Sequence, residues 1–161
     1  MTIREKPHRL QKNVYQGEVS VSFTLCIKDR VPLFNNASIV HIFENILKSE
    51  VERSSCIVPV YCYMPDHQHL IVSGISSEAD TKGLIKKYKQ KTGYWLINNQ
   101  FNARWQKDFF DDIIRKHEGL INVARYILDN PVRKGLVENW QEFPFKGVIG
   151  CELADILEGM A

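Results

Sequence analysis

The sequence has no apolar run approaching the roughly 20 residues that a membrane-spanning helix needs. Its four cysteines, Cys26, Cys56, Cys62 and Cys151, form no CxxC pair and follow no regular spacing. That excludes a disulfide framework and a zinc ribbon and points to reduced thiols. No glycine-rich loop is present to cradle phosphates. Charge of one sign is missing too: 21 Lys+Arg against 19 Asp+Glu leave a net +2, so any nucleic-acid argument must rest on local clustering. The stretch from Met1 to Lys12 is polar and basic and lacks the apolar segment of a signal peptide. A cytoplasmic protein is expected.

What remains is an ordinary globular composition, 44% hydrophobic and 25% charged over 161 residues. No repeat, low-complexity tract or linker divides it, so residues 1–161 are read as one domain that buries its own core. Within it, residues 1–17 form a basic arm carrying Arg4, Lys6, Arg9 and Lys12, either a frayed terminus or a contact to a polyanion.

Glu18 to Ile27 alternates as a first strand, with Val19, Val21, Phe23 and Leu25 on one face. Ile39, Val40, Phe43, Ile46, Leu47 and Val51 recur at helical spacing behind Asn35 or Asn36 as an N-cap. Cys56 to Met64 is a second strand, and Met64-Pro65-Asp66 turns it into a third. A second helix is expected from about Ser77 to Asn98, and a fourth strand over Phe109 to Ile114. Strand, helix, strand, strand, helix, strand is the order of the ferredoxin-like split βαβ, an α+β fold with an antiparallel sheet. A third helix, Glu118 to Asp129 and ended by Pro131, follows. Residues 140–161 form a Pro- and Phe-containing wrap with a short final helix near Glu152 to Leu157.

The third strand carries His67 and His69 two residues apart. On a strand these side chains share one face, with Ile71, opposite Gln68, Leu70 and Val72. Two neutral imidazoles so placed hold one divalent cation if a third ligand comes from elsewhere. The same spacing also fits a strand with two merely hydrogen-bonded histidines. The second helix carries Lys82, Lys86, Lys87, Lys89 and Lys91 among Tyr88, Tyr94 and Trp95. Such a run is a solvated face, or a surface where cations meet phosphates and rings meet bases.

In the third helix Leu120, Val123, Ala124, Ile127 and Leu128 form the core stripe, and Tyr126 falls off it. Asn122, Tyr126 and Asn130 follow at steps of four, with Arg125 and Asp129 beside them. A phenol with a pKa near 10 is a weak nucleophile in water, and a neighbouring cation such as Arg125 makes its phenolate easier to form. Asn130 offers an amide oxygen, a hard ligand suited to Mg²⁺ or Mn²⁺. Of the other tyrosines, Tyr88 sits on an apolar stripe and Tyr61 and Tyr63 in a core strand. Tyr94, near the lysines, is the rival nucleophile.

The segments Met64-Pro65-Asp66-His67-Gln68-His69-Leu70, Arg104-Trp105-Gln106-Lys107-Asp108-Phe109-Phe110-Asp111 and Arg125-Tyr126-Ile127-Leu128-Asp129-Asn130-Pro131-Val132-Arg133-Lys134-Gly135-Leu136-Val137 occur in that order. Together they resemble the single-tyrosine HUH transposases, and within them the REP-associated tyrosine transposases, over roughly Val19 to Trp140. The resemblance implies a bacterial, nucleoid-associated nuclease and strand transferase acting on single-stranded DNA beside hairpins. His67 and His69 would bind Mg²⁺ or Mn²⁺, with Asn130 in the place of the third ligand. Tyr126 would attack the scissile phosphate, join the 5′ side and leave a free 3′-hydroxyl. Arg104, Trp105 and Arg125 lie within the shared motifs and join Lys86 and Lys87 as expected DNA contacts. A second copy of the chain, in a homodimer, is a candidate partner, and no membrane is.

Two departures stand out. Asp66 replaces the asparagine usual in the family, and Phe143-Pro144-Phe145-Lys146-Gly147 replaces a Tyr-Pro-Trp-Ser-Ser type of tail. Two other classes fit parts of the pattern: a non-catalytic ferredoxin-like nucleic-acid-binding module, and a metal hydrolase drawing on Asp66, Asp111 or His117. The basic-Gly-aromatic-Gly-aromatic strand of the first is absent.

Overall fold

The alternation of Val21, Phe23 and Leu25 becomes β1 (Ser20–Cys26) in the computed structural model, which describes residues 12–158. Arg4, Lys6 and Arg9 of the basic arm lie outside the described residues. The stripe from Ile39 to Val51 becomes α1 (Ala37–Glu52), and Asn36 caps it by accepting from the N–H groups of Ser38 and Ile39. β2 (Cys56–Met64) and β3 (His67–Gly74) form the expected hairpin. α2 (Thr81–Asn98) begins later than Ser77 because the Asp80 side chain takes the Gly83 N–H and fixes the N-cap there. β4 (Phe110–Ile114) closes the βαββαβ series.

Among the described residues the strands lie in the order β4-β1-β3-β2, extended by a fifth, β5 (Lys146–Ile149), and every pairing is antiparallel. The first four give the ferredoxin-like order. β5 corrects the expectation of an irregular wrap: it pairs with β2 and widens the sheet. Gly147 is needed there because a Cβ would lie 2.6 Å from the Tyr61 hydroxyl oxygen. The short final helix is α4 (Leu153–Leu157).

Each sheet face is covered. Phe23, Leu25, Leu70 and Val72 pack with α1 and α2 through Phe43, Leu47, Ile85 and Tyr88, and with Trp105 from the segment after α2. Val60, Cys62, Met64 and Ile71 pack with the tyrosine helix, α3 (His117–Arg133), through Ala124, Ile127 and Leu128, with Phe143 and Ile156 filling the edge. β2, covered on both sides, therefore loses the alternation that β1 shows.

α3 does not stop before Pro131, as the sequence suggests, but runs two residues beyond it. The proline forfeits only its own bond to the carbonyl four residues back, in the last turn of the helix. The turn after it is held by Lys134 N–H to Asn130 O at 3.0 Å. Gly135, at φ +75°, then closes the helix: its N–H reaches Val132 O and the Leu136 N–H reaches Pro131 O, each at 2.9 Å. Pro131 is itself buried. Arg133 therefore stays helical, on the same side as Tyr126 and Asn130.

Candidate active site

β3 is the middle strand, so what stands on its α3-covered face is flanked on both sides. Cys26 and Met64 sit across from His67, and Thr24 and Cys62 across from His69. The Thr24 hydroxyl meets His69 Nδ1 at 3.0 Å, a cross-strand contact that orients the ring. His67 Nδ1 lies 2.7 Å from Asp66 Oδ1. A carboxylate only accepts, so Nδ1 carries the hydrogen and Nε2 keeps its lone pair. The other Asp66 oxygen accepts from Arg30 Nε at 3.0 Å, and Arg30 also donates to Cys26 Sγ. Asp29 and Arg30 hold left-handed backbone angles, φ 60° and 56°, in the turn that delivers this guanidinium.

The two Nε2 atoms face each other at 3.2 Å. A cation bound about 2.1 Å from each of two imidazole nitrogens sets them about 3.0–3.4 Å apart, depending on the coordination geometry. Burial lowers the pKa of His67; the neighbouring Asp66 opposes this, and Arg30 and Lys134 add to it. Burial, then the charges of His67 and Arg133, bring His69 down to about 3. Both rings are therefore neutral, with lone pairs to give, at neutral pH. Burial would raise the Asp66 carboxyl, but the hydrogen bond from His67 and the charge of Arg30 together hold it below the usual range.

α3 brings Tyr126 alongside. Its ring centroid lies 6.4 Å from that of His69, at 80°, and the side chain is 57% exposed. The guanidinium carbon of Arg133 sits 4.0 Å from the centre of the Tyr126 ring. Arg133 donates to Asn130 Oδ1 at 3.1 Å and to Asp129 Oδ2 at 3.3 Å. Asn130, 4% exposed, is buried under this contact. His67, His69, Tyr126 and the Asn130–Arg133 pair thus form one connected group at the β3–α3 boundary.

Other expected residues lie elsewhere. Arg125 is exposed, and the cation at the tyrosine ring is Arg133. Trp105 is 8% exposed, donates its indole N–H to Thr92 Oγ1 at 2.8 Å and tilts against Phe34, Phe43 and Tyr88. Its faces are taken by the core, which removes it from the DNA contacts expected from the sequence. Lys86 and Lys87 are exposed on α2, as is Tyr94 at 66%, and α2 packs on the face opposite the histidines. Arg104 is exposed, and its carbonyl takes the Lys28 N–H at 2.8 Å. That places it at the His67 end of the sheet, where Ile27 N–H bonds Asp66 O. Asp111 is engaged by Tyr15, and His117 opens α3. Among the described residues no three His, Cys, Asp or Glu side chains converge as a metal cage.

Thr24, Arg30 and Arg133 were not singled out from sequence. Only Arg133 left a signal: it stands seven residues after Tyr126 and three after Asn130, the spacing of one helix face.

His67 and His69 turn their Nε2 atoms toward each other on β3, beside a solvent-facing tyrosine on α3. The family model described as "Transposase IS200 like" matches residues 15–130, and the chain belongs to that family of transposases. It is 26% identical to a REP-associated tyrosine transposase of Haemophilus influenzae over 134 residues, 76% of each chain. Its fold is similar to a solved REP-associated tyrosine transposase bound to a REP hairpin. The TM-score is 0.71 at 18% identity, with 82% of this chain and 78% of the other covered. Among the described residues no helix is long and apolar enough to cross a membrane.

Proposed function

We propose that the chain is a divalent-metal-dependent nuclease and strand transferase that cuts single-stranded DNA beside hairpins through a covalent 5′-phosphotyrosine. The observation that carries this is the convergence of His67 Nε2 and His69 Nε2, 3.2 Å apart, next to the Tyr126 ring. Family membership and the hairpin-bound structural relative support DNA as the substrate.

The donor set suits Mg²⁺ or Mn²⁺: two neutral imidazoles from His67 and His69 and the Asn130 amide oxygen. Bound there, the cation supplies Lewis-acid stabilisation of charge on the phosphate and on the leaving 3′-oxygen. The protein's own part is positional. Asp66 and Thr24 hold the two imidazoles, and α3 presents the Tyr126 hydroxyl from the solvent side. Tyr126 Oη forms a bond to phosphorus as the bond to the 3′-oxygen breaks in line. The phenolic proton passes to solvent, and the departing 3′-oxygen takes a proton from solvent to leave as a hydroxyl. Attack by a 3′-hydroxyl on the phosphotyrosine reverses these bonds, so rejoining needs no nucleotide. Arg30, Lys28 and Arg104, at the His67 end, offer cations to the strand's phosphates.

The experiment is cleavage of end-labelled single-stranded hairpin DNA with Mn²⁺ by His67→Ala and His69→Ala. Both are expected to lose cleavage by at least a hundredfold while remaining folded and binding DNA. Cleavage at the wild-type rate by either variant rules out this metal site.

A further inference from the structure

Resting on the reading of Asn130 as third ligand, we infer that Arg133 is the positioning residue of the tyrosine helix. One guanidinium sets both the amide of the ligand and the ring of the nucleophile. An amide has two ends of unlike chemistry, and only the oxygen ligates a cation. Asn130 is 4% exposed, so water does not choose its orientation. Arg133 chooses it: a guanidinium has donors and no acceptor, so only the Oδ1 end can face Nη2 at 3.1 Å. The flipped amide would set N–H against N–H. A carbonyl oxygen has two lone pairs, so accepting from Arg133 leaves one for the cation.

The same group restrains Tyr126. This side chain lies off the apolar stripe and is 57% exposed, so the core does not fix its ring. The guanidinium carbon lies over that ring, 4.0 Å from its centre, and Asp129 ties down the other amino group at 3.3 Å. Lysine offers no planar fork and could not hold the amide and the ring together. Arg133 reaches both because α3 continues past Pro131.

The test is calorimetric titration of Mn²⁺ alone into the full-length chain, using wild type, His67→Ala, Asn130→Ala, Arg133→Met and the Asn130→Ala/Arg133→Met double variant. Arg133→Met is expected to weaken Mn²⁺ binding 10–100-fold, the range for losing a partner that orients a ligand. The double variant is expected to bind no more weakly than Asn130→Ala, because Arg133 acts through Asn130. A residue acting only by its charge would give the opposite sign: removing a cation beside the site would tighten Mn²⁺ binding. Tighter or unchanged binding in Arg133→Met, or additive losses in the double variant, overturns the inference. If His67→Ala abolishes Mn²⁺ binding in that same series, the metal site stands and only the role of Arg133 falls. If His67→Ala leaves Mn²⁺ binding intact, the metal site and this inference fall together.

Discussion

Replacing Asp66 isolates what holds the first imidazole. Its two oxygens do separate work, Oδ1 on His67 Nδ1 at 2.7 Å and Oδ2 on Arg30 Nε at 3.0 Å. Asp66→Ala frees the ring to rotate and removes the acceptor that fixes its tautomer. The expected loss in Mn²⁺ affinity is about 10–100-fold, or about 1.4–2.7 kcal/mol. Asp66→Asn separates orientation from charge. Asparagine has one carbonyl oxygen, which can face Nδ1 while the amide nitrogen turns toward Arg30. The Arg30 side chain is 56% exposed and can move to water at little cost. If orientation dominates, Asp66→Asn stays within about threefold of wild type while Asp66→Ala falls by the full amount. Calorimetric titration of Mn²⁺, with thermal melts to confirm folding, reads both. Wild-type affinity in Asp66→Ala, or equal losses in the two variants, refutes the orientation argument.

Two further outcomes follow from the structure. Burial, with the charges of His67 and Arg133, lowers the His69 pKa to about 3 from an ordinary 6.5, so between those values the unfolded chain binds the proton and the folded chain does not. Metal-free stability should therefore fall as pH drops from 6.5 toward 3, by up to about 1.4 kcal/mol per pH unit for this group; melts from pH 7 to 4 should show a shallower fall in His69→Gln, and an identical slope would refute the shift. Neutralising Lys28 and Arg104 together should flatten the salt dependence of single-strand binding by about 1.4 in log–log slope, at about 0.7 per phosphate contact. Neutralising Lys86 and Lys87, on the other face of the sheet, should change it less, and a larger effect from that pair would move the DNA path to α2.

The strand order and the histidine face were legible because period-2 alternation and the Pro65-Asp66 turn are local signals. So was Tyr126, which a helical wheel places off the apolar stripe. Four things were not. Pro131 reads as a helix stop, yet tertiary burial and the Gly135 closure carried the helix past it, and that hid Arg133. Trp105 reads as a surface ring in a basic motif, but its partners Thr92, Phe34 and Phe43 come from distant segments. The lysine run on α2 says nothing of which sheet face that helix covers. That is set by Leu84, Ile85 and Tyr88 meeting the Leu70 and Val72 side, far from the histidines. β5 was missed because four residues with a glycine carry too little alternation to mark a strand.

In the proposed reaction Tyr126 supplies the nucleophile. Tyr126→Phe removes one oxygen atom and keeps the ring under Arg133, so folding and DNA affinity should be nearly unchanged. With DNA labelled on the fragment 3′ of the cut, wild type and Tyr94→Phe should carry label with the protein on a denaturing gel, in a Mn²⁺-dependent manner. Tyr126→Phe should yield neither the adduct nor the free 3′-hydroxyl fragment. An adduct that persists in Tyr126→Phe and is lost in Tyr94→Phe would contradict the account and move the chemistry to α2.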